Sequence, residues 1–191
     1  MNYKQLLVLI STPIILSACG PSGTIQDGQE PAKTVSQGKS YDPCDLLTVA
    51  DLTEVFPGST PVLSRHDTEA NPVGMKICYY DISEKSMNYA QLAVINVADA
   101  PANIVKGNSL KPLMDSEKSF LQAGDIQTVE GLGDEAYYGG SGLKPGAGLH
   151  VLDNQHGVKI DISVGLGFGS SDQAEHLKIE KALAEKALSH L

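Results

Sequence analysis

Residues 20–40 (GPSGTIQDGQEPAKTVSQGKS) mix Gly, Pro, Ser, Gln and Lys with scarcely any apolar side chain, and this stretch divides the chain. It can bury too little surface to offset the entropy of ordering its backbone, so residues 19–40 read as a flexible tether. The fold must come from residues 41–191, and a region of about 150 residues supports one core with little left for a second. The part before the tether is different. Residues 5–16 (QLLVLISTPIIL) are an apolar run with Lys4 on its N-terminal side and the small residues Ser17 and Ala18 behind it. The run is too short to span a bilayer as a stable helix, and this layout is that of a cleaved export signal over residues 1–18.

Leu16-Ser17-Ala18-Cys19 resembles the lipobox of bacterial lipoprotein signal peptides. The resemblance implies thioether diacylation of Cys19, cleavage before it and acylation of the new N-terminus. Each buried methylene contributes about 0.8 kcal/mol, so two or three chains hold a protein at a membrane effectively permanently. Asp after the cysteine retains such proteins at the inner membrane of enterobacteria; here Gly20 and Pro21 follow, which implies the outer membrane, facing the periplasm. The alternatives are a non-lipidated secretory peptide cut near Ala18 and a retained anchor helix.

Removing residues 1–18 takes away Lys4 and no carboxylate, leaving 13 basic side chains against 23 acidic ones, a formal charge of −10. Such a surface repels phosphate backbones, so nucleic acid is not an expected partner. It suits a basic partner, a cation, or simply solubility. With Cys19 assigned to lipid, Cys44 and Cys78 remain as a pair in an oxidising compartment, and a disulfide is the default. The competing reading, a redox or metal site, lacks a C-x-x-C spacing and a surrounding cluster of His and Cys.

Thr48 followed by Asp51 reads as a helix cap, with Leu52, Val55 and Phe56 on one face before Pro57-Gly58 stop the helix. Strands are expected over 60–67, 75–81, 87–97, 125–129, 135–138, 148–152 and 158–164. The second of these is expected to deliver Cys78 inward. A middle helix over 109–122, capped by Ser109, offers Leu113, Phe120 and Leu121 to the core and Met114 as a gap-filler. A C-terminal helix from Asp172 to about His190, capped by Ser171, repeats Ile179, Leu183, Ala187 and Leu191. The fold class is therefore α+β, an antiparallel sheet of about six strands packed with N-terminal, middle and C-terminal helices.

Three short motifs carry a second resemblance: Pro43, Cys44, Leu46, Leu47 and Thr48; Cys78 with Tyr79; and Val129, Gly131, Leu132, Gly133, Asp134, Glu135 and Ala136. Together they resemble the DUF3558 family of bacterial surface lipoproteins, with Tyr79 where Trp is common. The resemblance implies a surface lipoprotein and brings no catalytic assignment.

No pattern specifies chemistry. Gly165-Leu166-Gly167-Phe168-Gly169-Ser170 turns from strand to helix, but no further strand can follow before Leu191 and no Gly-Lys-Ser/Thr ends the loop, so a nucleotide site is not expected. Asp153, Asn154, Gln155 and His156 crowd oxygen ligands without calcium-loop spacing, since Val164 stands where the distal Glu belongs. Asp134 and Glu135 point to opposite faces of a regular strand and cannot share a proton-transfer site. No metal or cofactor is expected.

The expected function is a non-enzymatic binding module of the cell envelope, joined to the membrane through Cys19 and recognising an envelope protein or ligand. Its expected contact region is the glycine-rich loop 139–148 with the strand end before it: Tyr137, Tyr138, Gly140, Gly142 and Lys144. A narrower form is an inhibitor or immunity protein against an envelope-degrading enzyme. The alternative, an envelope enzyme, requires a deep pocket assembled around His66, His150 or Asp161.

Overall fold

The computed structural model describes residues 38–83, 88–142, 144–167 and 172–191. Cys19 with its lipobox, residues 20–37 of the tether, Leu143, the 168–170 end of the glycine-rich turn and the expected cap Ser171 lie outside the described residues.

Two short helices open the domain, α1 (Pro43–Leu46) and α2 (Val49–Val55). Asp42 starts the first by accepting from Cys44 N at 2.8 Å, with Pro43 in the first turn, where its missing N–H removes no helical bond. The second begins on the expected capping box. Asp51 N donates to Thr48 Oγ1 at 3.3 Å, and Thr48 N donates back to Asp51 Oδ2 at 2.9 Å.

Seven strands follow: β1 (Val62–His66), β2 (Met75–Ser83), β3 (Asn88–Asn96), β4 (Gln127–Thr128), β5 (Glu135–Tyr138), β6 (Leu149–Asp153) and β7 (Val158–Leu166). They form one antiparallel sheet in the order β1-β2-β3-β7-β6-β5-β4. This is the expected α+β class with one strand more than the rough count. The smallest, β4, is two residues long where 125–129 was expected, because Asp125 closes a 3-10 turn instead.

The helices divide between the two faces. On one face, α1, α2 and α4 (Gln173–Ser189) cover Cys78, Tyr80, Leu92, Val94, Val151, Ile160 and Ile162, with Leu183, Ala184 and Ala187 of α4 fully buried against them. Asp172 caps α4, accepting from Ala174 N and Glu175 N, in the position assigned to Ser171. The Cys44–Cys78 disulfide staples α1 to β2 with Cα atoms 5.2 Å apart. Closing its 34-residue separation stabilises the fold by about 4 kcal/mol in the chain-entropy treatment. On the other face, α3 (Lys111–Lys118) places Leu110 and Met114 over Ile95, Tyr137 and Leu152.

The middle helix corrects one core assignment. Phe120 is 74% exposed. The helix ends at Lys118 and the chain tightens into 3-10 bonds, Phe120 N to Glu117 O and Leu121 N to Lys118 O. Helical spacing therefore no longer governs where Phe120 points, whereas Leu121 still reaches the cluster. Gly133 sits at φ +54, and a Cβ there would run into the carbonyl oxygen of Leu152, so the link into β5 requires glycine.

Candidate functional site

Tyr137 and Tyr138 are consecutive in β5 and therefore point to opposite faces. Both faces are covered at that position, and the two rings are 1% and 3% exposed. This corrects their expected place in a contact surface: they anchor the strand that feeds the 139–148 loop. Tyr138 Oη donates to Gln173 Oε1 on α4 at 3.1 Å, and burial, with Glu180 nearby, pushes its phenol up to about 12.

The loop itself remains at the surface, with Gly140 half-buried and Gly142 and Lys144 exposed. It is tied down from several sides. Gly139 N donates to Gly148 O, Gly148 N to Gly140 O, and Ala147 N to Lys144 O. Gln173 accepts from Ser141 N at 2.8 Å and donates to Ser141 Oγ at 2.6 Å. Lys144 Nζ lies 3.6 Å from Asp125, and Leu121 packs beneath Gly139 and Gly146. From below, Nε2 of His150 reaches Gly146 O at 3.1 Å.

His150 belongs to a quartet of ionisable side chains under α3. Lys159 has no exposed side-chain surface, and its ammonium lies 2.7 Å from Glu117 Oε2 and 2.5 Å from Asp161 Oδ1. His150 Nδ1 lies 2.7 Å from the same Asp161 oxygen and 3.9 Å from Glu117. The Tyr137 ring stacks on the imidazole at 4.5 Å and 12°, and Lys118 Nζ lies 4.9 Å from the Tyr137 centroid.

Electrostatics follow from this packing. Burial and the neighbouring Asp161 raise the Glu117 carboxyl, against the pull of Lys159. Burial opposes the charge on Asp161 too, but Lys159 and His150 outweigh it and hold the carboxyl well below its usual range. Burial disfavours the Lys159 ammonium, and its two carboxylates more than compensate, raising it.

Glu117, His150 and Asp161 come near enough to share a metal ion. The ammonium of Lys159 already contacts both carboxylates and offsets one of their two charges, so the oxygens a metal ion would use are engaged by Lys159. The second close group, Asp42, Cys44 and His66, has its sulfur in the disulfide and its imidazole 2.7 Å from Asp42.

Of the residues named for an enzyme, His150 and Asp161 meet and His66 lies elsewhere, exposed on β1. A surface cavity of about 1020 Å³ opens beside the turn after α2, lined by Phe56, Pro57, Val62, Asp81 and Asn88 among others. Asp81 is the one titratable side chain among its described lining residues, so no set of acid and base groups converges there. Asp134 and Glu135 separate as expected. The first accepts from Asn154 N, and the second pairs with Lys111 and Lys118. Asp153 uses both oxygens on His156, closing the hairpin turn.

Sequence reasoning named His150 and Asp161 but missed Lys159 and Glu117, which complete the quartet, and it missed Glu180. In β7, Lys159, Asp161 and Ser163 alternate with Val158, Ile160 and Ile162, the pattern of a solvated strand face. The helix α3 lies over the first two and converts that face into the quartet. On α4, Glu180 is 1% exposed, accepts from Val164 N at 3.1 Å, and is pushed up to about 8 by burial. Its signal was present: positions 176, 180, 183, 184 and 187 form one buried stripe, with a carboxyl inside it.

No family model, curated protein or solved structure matches this chain.

Proposed function

We propose that this protein is a lipid-tethered module of the cell envelope that binds a partner through the exposed part of its 139–148 loop, without catalysing a reaction. The observation that carries this reading is the fastening of the loop. A surface segment held by Gln173, Leu121, His150 and its own backbone bonds is preorganised, which lowers the entropy lost on binding. The lipobox resemblance at Leu16-Ser17-Ala18-Cys19 and the low-complexity stretch behind it support presentation at a membrane surface. The likeness of three motifs to DUF3558 lipoproteins supports the same placement.

The test is crosslinking in intact cells, recovery of the detergent-extracted protein through a C-terminal tag, and mass spectrometry of what accompanies it. One abundant envelope partner is expected, lost when residues 140–146 are shortened and kept when the cavity residue Asp81 is changed to Ala. Recovery of the protein alone, or a partner indifferent to the loop, overturns the reading. The mass of the mature chain tests the tether separately: a peptide beginning at Cys19 and carrying two or three acyl chains is expected, and an unmodified one contradicts it.

A further inference from the structure

We infer that His150 is a pH-sensitive latch on the 139–148 loop: doubly protonated it holds the Gly146 carbonyl, and on losing one proton it releases it. Nδ1 faces Asp161 Oδ1 at 2.7 Å, and Nε2 faces Gly146 O at 3.1 Å. An ionised carboxylate and a peptide carbonyl only accept hydrogen bonds, so each contact needs a proton on the ring nitrogen. A neutral imidazole carries one such proton. Both contacts therefore coexist in the imidazolium form alone.

That form also balances the charge around it. The groups facing His150 are Asp161 and Lys159 from β7, Glu117 from α3, the Tyr137 ring from β5 with Lys118 near that ring, and the loop carbonyl of Gly146. With His150 protonated, two cations face two carboxylates within the quartet. When one proton leaves, the remaining N–H stays on Asp161, because a hydrogen bond to a charged acceptor is roughly twice as strong as one between neutral groups. Nε2 then turns a lone pair on the Gly146 oxygen, and that contact becomes repulsive.

Release is confined to one limb of the loop. Gly146 adjoins Ala147 and Gly148, whose amides donate to Lys144 O and Gly140 O. Ser141, on the other limb, is held by Gln173, which does not titrate. Rising pH therefore loosens residues 144–148 and leaves Ser141 in place. The latch is a property of the fold and does not rest on what the loop contacts.

A titration of the full-length, isotope-labelled protein by NMR, from about pH 5 to about pH 9, tests it over the range in which imidazoles change charge. The amide shifts of Ala147 and Gly148 are expected to follow the His150 ring carbons with a shared midpoint, while the Ser141 amide stays still. In His150→Gln, whose side chain does not titrate, the Ala147 and Gly148 shifts are expected to lose that pH dependence. The latch is overturned if the ring titrates without moving those amides, if the ring does not titrate while the fold persists, or if the amides titrate unchanged in the variant. Should His150→Gln fail to fold, the comparison of ring and amide curves in the unaltered protein still decides.

Discussion

The two faces of the sheet bury carboxyl groups in opposite ways. Beneath α4, Glu180 enters an apolar layer of Val, Ile, Leu and Ala with only the backbone amides of Val164 and Leu149 to stabilise its charge among the described residues, and it resolves the conflict by keeping its proton to about pH 8. Beneath α3, Glu117 and Asp161 are set against Lys159 and His150, and Asp161 resolves the same conflict by pairing, staying ionised far into acid. A lone acid in an apolar layer is neutralised by a proton, whereas a clustered one is neutralised by a neighbour. Removing Glu180 leaves no charged partner behind among the described residues, whereas removing one member of the cluster leaves its partners' charges unbalanced.

The largest effect is therefore expected from Lys159→Met. It removes the cation between two partly buried carboxylates and should lower the unfolding free energy by roughly 3–5 kcal/mol in urea denaturation. The double variant Glu117→Leu/Lys159→Met should lose less than Lys159→Met alone, since it removes one carboxylate together with the cation. Equal losses would show that packing under α3, and not charge balance, governs that face.

Glu180→Gln probes the other face. In the unfolded chain this carboxyl titrates near 4.5 and in the fold near 8, so between those values only the unfolded state has released the proton. Stability of the unaltered protein should then fall by up to about 1.4 kcal/mol per pH unit across that window and level off above it, relative to the variant. Asp161 acts with the opposite sign. Its depressed carboxyl adds stability above its ordinary range near 3.8, lost as pH falls through the lower value it has in the fold. Thermal unfolding across pH reads both slopes.

Smaller differences separate the adjacent tyrosines. Tyr138→Phe gives up the bond to Gln173 and should cost about 1 kcal/mol, whereas the Tyr137 hydroxyl has no hydrogen-bond partner among the described residues, so Tyr137→Phe should be neutral or slightly stabilising. Smallest of all is Phe120→Ala, expected within about 0.5 kcal/mol because the ring is exposed; a loss above 2 kcal/mol would restore Phe120 to the core.

Local physics determined a good part of this protein from its sequence alone. Backbone sterics and side-chain caps act over a few residues, so the Thr48–Asp51 box, the stops at Pro57-Gly58, the hairpin around 153–157 and the alternation that turned Cys78 inward were legible. The same locality placed Asp134 and Glu135 on opposite sides of their strand. Tertiary structure decided which faces were covered and by what. Tyr137 and Tyr138 looked available beside a glycine-rich loop, and two helices distant in sequence buried them. Lys159 and Asp161 carried the alternation of a wet strand face until α3 brought Glu117 over them, and His150 acquired its partners from a neighbouring strand and a loop. Periodicity reports how side chains are distributed around one element. Whether water or another element meets each face depends on long-range packing, which no single stretch of sequence encodes.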